Sequence, residues 1–121
     1  MSITDEAEYG QKQINTLELI WGEGFLSPGG IQEIDHVLNN RSIENLNVLD
    51  IGCGCGGAAI HFVKNLKAAH VLGVDVEQEV INRANTLKLK SNHKHQLTFQ
   101  VIEEGPLLFD NESFDMIFSK D

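Results

Sequence analysis

The chain has 121 residues, of which 41% are apolar, and these values are typical of a single soluble globular domain. Its formal net charge of −9, without a cluster of Lys or Arg, argues against a nucleic acid partner, because phosphate backbones are bound mainly by clustered cations. The first ten residues lack a signal-peptide pattern, and no stretch reaches the roughly 18 apolar residues of a membrane span. A cytoplasmic protein without a membrane partner is therefore expected.

Two helices are predicted in residues 1–45, which we expect to form an N-terminal helical lid. The first, in the stretch QINTLELIW, has one apolar face and is expected to end at Gly22 or Gly24. The second has Ser27 as a candidate N-cap and Pro28 at the first helical position, and apolar residues follow at helical spacing.

Residues 46–121 are predicted to form a Rossmann-like core in which strands alternate with helices. Short apolar runs bounded by turn residues predict four strands, and amphipathic stretches predict a helix after each of the first two. The strands are NLNVLDIG, AHVLGVDV, QLTFQVI and SFDMIFSKD, and the helices are AAIHFVKNL and EQEVINRANTLKL. This alternation is the signature of the α/β class, with a doubly wound parallel sheet and helices on both faces.

A glycine-rich stretch joins the first strand to its helix. Gly52, Gly54 and Gly57 form a G-x-G-x-x-G pattern at the carboxyl edge of the predicted sheet, and Asp75 ends the next strand. Glycines there allow a ligand to approach the backbone, and a carboxylate at that place accepts hydrogen bonds from ribose hydroxyls. The combination predicts an adenosine-containing ligand. The alternatives are a tight turn without a ligand and, for Asp75, an N-cap of the following helix.

The two cysteines, Cys53 and Cys55, lie inside this glycine-rich stretch. They are too close in sequence for an unstrained disulfide, so reduced thiols are expected. A C-x-C pair with His61 lacks a fourth ligand at any familiar metal-binding spacing. We therefore interpret both cysteines as small loop residues and expect no metal.

Asp50 distinguishes between classes of adenosine-containing ligand. A carboxylate two residues before Gly52 is unfavourable beside the doubly charged pyrophosphate of NAD or FAD, whereas S-adenosylmethionine brings a sulfonium and an ammonium group. The stretches VLDIGCGCGG and VLGVDV resemble the cofactor-binding motifs of class I S-adenosylmethionine-dependent methyltransferases. A domain that binds NAD or FAD remains the alternative.

A second resemblance covers both ends of the chain. YGQKQINTLELIWGEGFLSPGG resembles the N-terminal segment of the phosphoethanolamine and related small-amine N-methyltransferases, and FSKD resembles the end of their fourth strand. The resemblance implies a sheet in the order 3-2-1-4, and Tyr9 and Asp121 as catalytic residues acting on a small amine. It also implies that S-adenosylmethionine, with S-adenosylhomocysteine as product, is bound by Ser27, Asp50, Gly52, Cys53, Gly54, Asp75, Val76, Glu103, Glu104 and Lys120.

Departures from that family leave the acceptor open. Leu17 stands where members with phosphobase substrates usually have an aromatic residue, and Glu103 stands where they have an aspartate. In the family the tyrosine works with a histidine that would follow Asp121, so we expect this chain to be the C-terminally incomplete, cofactor-binding part of an enzyme. The fourth strand would then have an open edge suited to self-association. A non-catalytic module that binds S-adenosylmethionine and works with a partner chain is the alternative function.

Overall fold

The computed structural model describes residues 3–21, 23–25, 30–105 and 113–119, with residues 3–9, 20 and 21 described only as part of their helix. The elements in chain order are α1 (Ile3–Trp21), α2 (Gly30–Leu38), β1 (Asn47–Ile51), α3 (Gly57–Lys64), β2 (His70–Asp75), α4 (Gln78–Lys90), a 3₁₀ turn (Lys94–Gln96), β3 (Leu97–Val101) and β4 (Met116–Ser119). The predicted N-cap Ser27 and the following Pro28 lie outside the described residues.

All four strands are parallel and lie in the order β3-β2-β1-β4. The predicted class, strand order and alternation of strands with helices are therefore confirmed. The core lies on the face of the sheet that carries Val48, Val71 and Leu97, which are in register and at most 1% exposed. Phe62 of α3 and Ala84 of α4 belong to the same buried cluster.

The last strand, β4, is attached to this core by an aromatic contact. The ring of Phe118 meets the ring of Phe62 edge to face, with the centroids 5.1 Å apart and the ring planes at 80°. On the opposite face of the sheet Leu49 and Val74 of the central strands are buried, whereas Gln100 and Ile117 of the outer strands are exposed. Helices on that second face stay a prediction.

The first helix begins well before the predicted stretch, because α1 already includes residue 3. Residues 4–13 show no apolar periodicity, so this part of the helix was not predicted from the sequence. Gly10 lies where α1 packs on α4, because a Cβ added to Gly10 would be 3.2 Å from Cγ of Glu79. Among the described helices, none is long and apolar enough to cross a membrane.

Candidate functional site

The loop between β1 and α3, residues 52–56, lies at the carboxyl edge of the sheet. Gly52, Gly54 and Gly56 have φ angles of 71°, 55° and 87°, a left-handed conformation that residues with a Cβ adopt at a cost. The amides of Gly52 and Cys53 donate to the carbonyl of Val74 at 2.8 and 3.0 Å. The loop is therefore fixed by hydrogen bonds to the end of the neighbouring strand β2.

A ring from β3 fills the space beneath the loop. Gly73 is in register with both Asp50 and Phe99, and a Cβ added to Gly73 would lie 2.7 Å from the Phe99 ring and 3.0 Å from Cβ of Cys53. A Cβ added to Gly56 would also lie 2.7 Å from that ring. Phe99 therefore packs against backbone at both glycines.

Asp75, at the end of β2, holds the loop with its carboxylate. Its Oδ2 accepts a hydrogen bond from the Gly54 amide at 2.9 Å, and its Oδ1 accepts one from the Glu77 amide at 3.1 Å. The alternative of Asp75 as N-cap of α4 is wrong, because Glu77 occupies that position. A carboxylate offers about four acceptor positions, so the two backbone bonds leave capacity for two further donors.

Asp50 lies inside the sheet, one strand away from Asp75. It is only 2% exposed, and its Oδ2 has no hydrogen-bond partner among the described atoms. Burial, with a smaller contribution from the nearby Asp75 carboxylate, raises the pKa of Asp50 to about 7. Buried polar atoms without a partner are rare in proteins, and a cationic or hydrogen-bond-donating ligand would supply the missing partner.

These groups surround one cavity of about 240 Å³ at the carboxyl edge of the sheet. Its lining contains the carboxylates of Asp50 and Asp75, while none of the described lining residues is a Lys or Arg. The lining residues are Gly24, Phe25, Ile34, Asp50, Gly52, Cys53, Gly54, Cys55, Ala58, Asp75 and Phe118. The cavity is therefore acidic and is suited to a ligand with positive charge.

Gly24 and Phe25, which follow α1, form a second wall of the cavity. The carbonyl of Gly24 accepts a hydrogen bond from the Gly57 amide at 3.0 Å. A Cβ added to Gly57 would lie 2.6 Å from that carbonyl and 2.7 Å from the ring of Phe25. The two walls are thus in direct backbone contact where α3 begins.

The cysteines and His61 do not form a metal site in the described part of the chain. Burial raises the pKa of the Cys53 thiol above its usual range, helped by Asp50 and Asp75, and burial raises the pKa of Cys55 to about 12. Both thiols are therefore protonated at neutral pH. The ring of His61 instead bonds to Oδ1 of Asp35 at 2.9 Å and to the side chain of Asn65 at 2.8 Å.

The structure brings together half of the residues predicted to bind a cofactor. The cavity is lined by Asp50, Gly52, Cys53, Gly54 and Asp75. Among the others, Val76, Glu103 and Glu104 are exposed near the carboxyl edge but do not line the cavity. Tyr9 is described only by its place in α1, and Ser27, Lys120 and Asp121 lie outside the described residues.

Six lining residues were not predicted from the sequence as part of the site: Gly24, Phe25, Ile34, Cys55, Ala58 and Phe118. Glu18, which is 7% exposed and bonds to Gly24 and Arg83, was not predicted either. A signal for Glu18 was available, because it follows Ile14 by one helical turn and so lies on the buried face of α1. A charged residue on an apolar face indicates a buried partner.

The chain matches the sequence profile of a known protein family. The sequence profile described as a methyltransferase domain matches residues 48–121, from the beginning of β1 to the end of the chain. The chain belongs to the methyltransferase domain family. The matched region of this methyltransferase domain contains the glycine loop and both cavity carboxylates, and the predicted family is confirmed.

Individual relatives of the methyltransferase domain agree with the predicted resemblance. The phosphoethanolamine N-methyltransferase of Plasmodium falciparum is 30% identical over 94% of this chain and 42% of its own length. The sterol 24-C-methyltransferase ERG6B of Gibberella zeae is 32% identical over 96% of this chain and 30% of its own length. The chain therefore spans less than half the length of these relatives.

Among solved structures, the phosphoethanolamine N-methyltransferase 2 of Haemonchus contortus in complex with S-adenosyl-L-methionine has a TM-score of 0.83 and 29% identity. The match covers 97% of this chain and 27% of that one. A second structure of the same enzyme holds phosphomonomethylethanolamine and S-adenosylhomocysteine, with the same score. The Rossmann-like methyltransferase fold is thereby established for the chain.

Proposed function

We propose that the chain binds S-adenosylmethionine in the cavity lined by the glycine loop and by Gly24 and Phe25, as the cofactor-binding part of a methyltransferase. The observation that carries this proposal is the buried, unpartnered oxygen of Asp50 in a cavity that is also lined by the carboxylate of Asp75. Two carboxylates without a described basic neighbour suit a ligand that carries a sulfonium and an ammonium group. They disfavour the pyrophosphate of NAD or FAD, which is bound best at a helix N-terminus free of acids.

The residues present fit S-adenosylmethionine. Asp75 has acceptor capacity for two ribose hydroxyls beyond its bonds to the loop, and Asp50 offers an unpaired oxygen to a cationic group. Gly52 leaves open space where a side chain would begin, since nothing lies within 4 Å of an added Cβ. When bound, the cofactor supplies a methyl group activated by its attachment to a sulfonium.

For the acceptor we propose a small amine. Several relatives are phosphoethanolamine N-methyltransferases, and a similar solved structure holds phosphomonomethylethanolamine. Tyr9 is proposed to accept a proton from the amine and Asp121 to orient it, and residues 1–45 are proposed to form a lid over residues 46–121. The sterol methyltransferase among the relatives supports a carbon acceptor as the second candidate.

Calorimetric titrations of the chain with S-adenosylmethionine, S-adenosylhomocysteine and NAD test the proposal. We expect binding of the first two, tighter for S-adenosylmethionine, because only this one has the sulfonium charge. In Asp50→Asn, which removes the charge and keeps the shape, the preference for S-adenosylmethionine over S-adenosylhomocysteine should decrease. Tighter binding of NAD than of S-adenosylmethionine would refute the proposal.

A further inference from the structure

A buried carboxylate joins the N-terminal helix to the cavity wall. Glu18 of α1 is 7% exposed, and each of its oxygens has a partner. Its Oε2 accepts the hydrogen bond of the Gly24 amide, and its Oε1 accepts one from Nε of Arg83 on α4 at 2.8 Å. One side chain therefore connects α1, α4 and the segment that lines the cavity.

The segment held by Glu18 has little freedom at its contact with α3. Gly24 has a φ of 84°, and a Cβ added there would lie 2.9 Å from Cα of Gly57. Its carbonyl already accepts the Gly57 amide, and Phe25, the next residue, lines the cavity. A small displacement of Gly24 would therefore move the cavity wall and break the bond to the first residue of α3.

We propose that Glu18 is a positioning residue for the cavity: paired with Arg83, it holds Gly24 and Phe25 against the beginning of α3 and so couples the docking of α1 to ligand binding. This inference rests on the proposed function for the identity of the ligand. Glu18 does not line the cavity in the described structure, and its hydrogen bond to a lining residue is the one that it accepts from Gly24.

The ion pair between Glu18 and Arg83 predicts that the effects of single and double variants on binding are not additive. Removing one partner of a buried pair leaves an unpaired buried charge, whereas replacing both by neutral groups is often tolerated. Arg83→Met should therefore be harmful by itself and less harmful together with Glu18→Gln. The glutamine keeps an oxygen for the Gly24 amide, so the double variant retains the bond that positions the wall.

The binding arm of the test uses S-adenosylhomocysteine and calorimetry. We expect Glu18→Ala and Arg83→Met each to weaken binding about tenfold, Glu18→Gln to weaken it less because it keeps an oxygen for the Gly24 amide, and the double variant Glu18→Gln with Arg83→Met to bind more tightly than Arg83→Met alone. Glu23→Gln is the matched control, because Glu23 is 66% exposed and lies 3.8 Å from Arg83 without holding Gly24. Binding by this control should stay within about twofold of the original chain, as for a surface ion pair.

A second arm needs no ligand and measures amide hydrogen exchange by NMR. In Glu18→Gln and Glu18→Ala the amides of Gly24 and Gly57 should exchange faster, more so in the alanine variant, while the amide of Val71 in β2 keeps its rate. Val71 reports global unfolding, because it is fully buried in the sheet. Faster exchange confined to Gly24 and Gly57 thus shows local loss of positioning and not general destabilisation.

The outcomes separate this inference from the proposed function. If the original chain does not bind S-adenosylhomocysteine, the proposed function fails, and the exchange arm still decides whether Glu18 positions the wall. If the chain binds but Glu18→Gln and Glu18→Ala leave affinity and both exchange rates unchanged, the positioning role is wrong. Equal losses at Gly24, Gly57 and Val71 would also overturn it.

Discussion

The two walls of the cavity are held by different means. The glycine loop, residues 52–56, is fixed by backbone hydrogen bonds to Val74 and by the carboxylate of Asp75, all within one β-α-β unit. The wall formed by Gly24 and Phe25 depends on Glu18, whose partner Arg83 is 65 residues away in sequence. One wall is therefore a property of local chain geometry, and the other exists only when distant helices have packed together.

The largest expected effect is the loss of stability caused by a substitution in the glycine loop. Gly56→Ala combines a φ of 87° with a Cβ placed 2.7 Å from the Phe99 ring. Left-handed strain of about 1–2 kcal/mol and overpacking of about 1–3 kcal/mol should together lower the free energy of unfolding. Urea denaturation measures the loss. Gly52→Ala is the control with strain alone, since its Cβ would meet nothing within 4 Å, and equal losses in both variants would contradict the packing account.

The next effect concerns the carboxylate that serves both the loop and the proposed ligand. Asp75→Ala should weaken binding of S-adenosylhomocysteine about tenfold or more, because each lost charge-assisted hydrogen bond contributes about 1.5–3 kcal/mol. Asp115→Ala is the matched control. The Asp115 carboxylate also accepts a backbone amide, that of Asn47 at 2.9 Å, but at the opposite end of β1. Similar affinities of the two variants in calorimetry would exclude Asp75 from the site.

A smaller expected effect is the pH dependence of stability that the buried Asp50 contributes. Its pKa is raised from 3.8 to about 7 in the folded chain, so the folded state binds more protons than the unfolded state between these values. The free energy of unfolding should then fall with rising pH in this window, by at most about 1.4 kcal/mol per pH unit. Denaturation of the ligand-free chain at several pH values measures the slope. In Asp50→Asn this contribution should vanish, and parallel curves for the two chains would contradict the assignment.

The smallest expected effect tests whether only one face of α1, the face that carries Glu18, contributes to stability. Leu19 follows Glu18 directly but is 88% exposed, so Leu19→Gln should change the free energy of unfolding by no more than about 0.5 kcal/mol. Ile14→Gln is the contrasting variant on the buried face of the same helix, where Ile14 is 5% exposed, and it should be clearly destabilising. Thermal unfolding of both variants decides the comparison, and equal losses would mean that α1 is held around its whole circumference.

The difference between a wall fixed by local chain geometry and a wall fixed by distant helices also explains which features could be predicted from the sequence. The strands, their order and the glycine loop followed from local apolar runs, turn residues and a motif resemblance, and Asp50 and Asp75 were identified because each has a fixed place relative to that loop. Such features depend on residues close in sequence or on a recurrent unit, as the β-α-β unit is.

The second wall was not predictable in the same way. Phe25, Ile34 and Phe118 reach the cavity from the segment after α1, from α2 and from β4, and each by itself is an ordinary apolar residue. The length of α1 was also underestimated, because the prediction relied on apolar periodicity and the first turns of this helix have none. Only Glu18 left a trace in the sequence, as a charge at an apolar helical position.

The contact between Phe99 and Gly73 limits the order in which this sequence can change. A Cβ at position 73 would lie 2.7 Å from the aromatic ring, so Gly73→Ala is blocked while that ring is present. Phe99→Ala would remove both ring contacts, and Cβ of Cys53, 3.0 Å away, would then be the nearest neighbour of the alanine. An evolutionary path through these two positions therefore runs in one direction only, with the larger residue shortened before the smaller one grows.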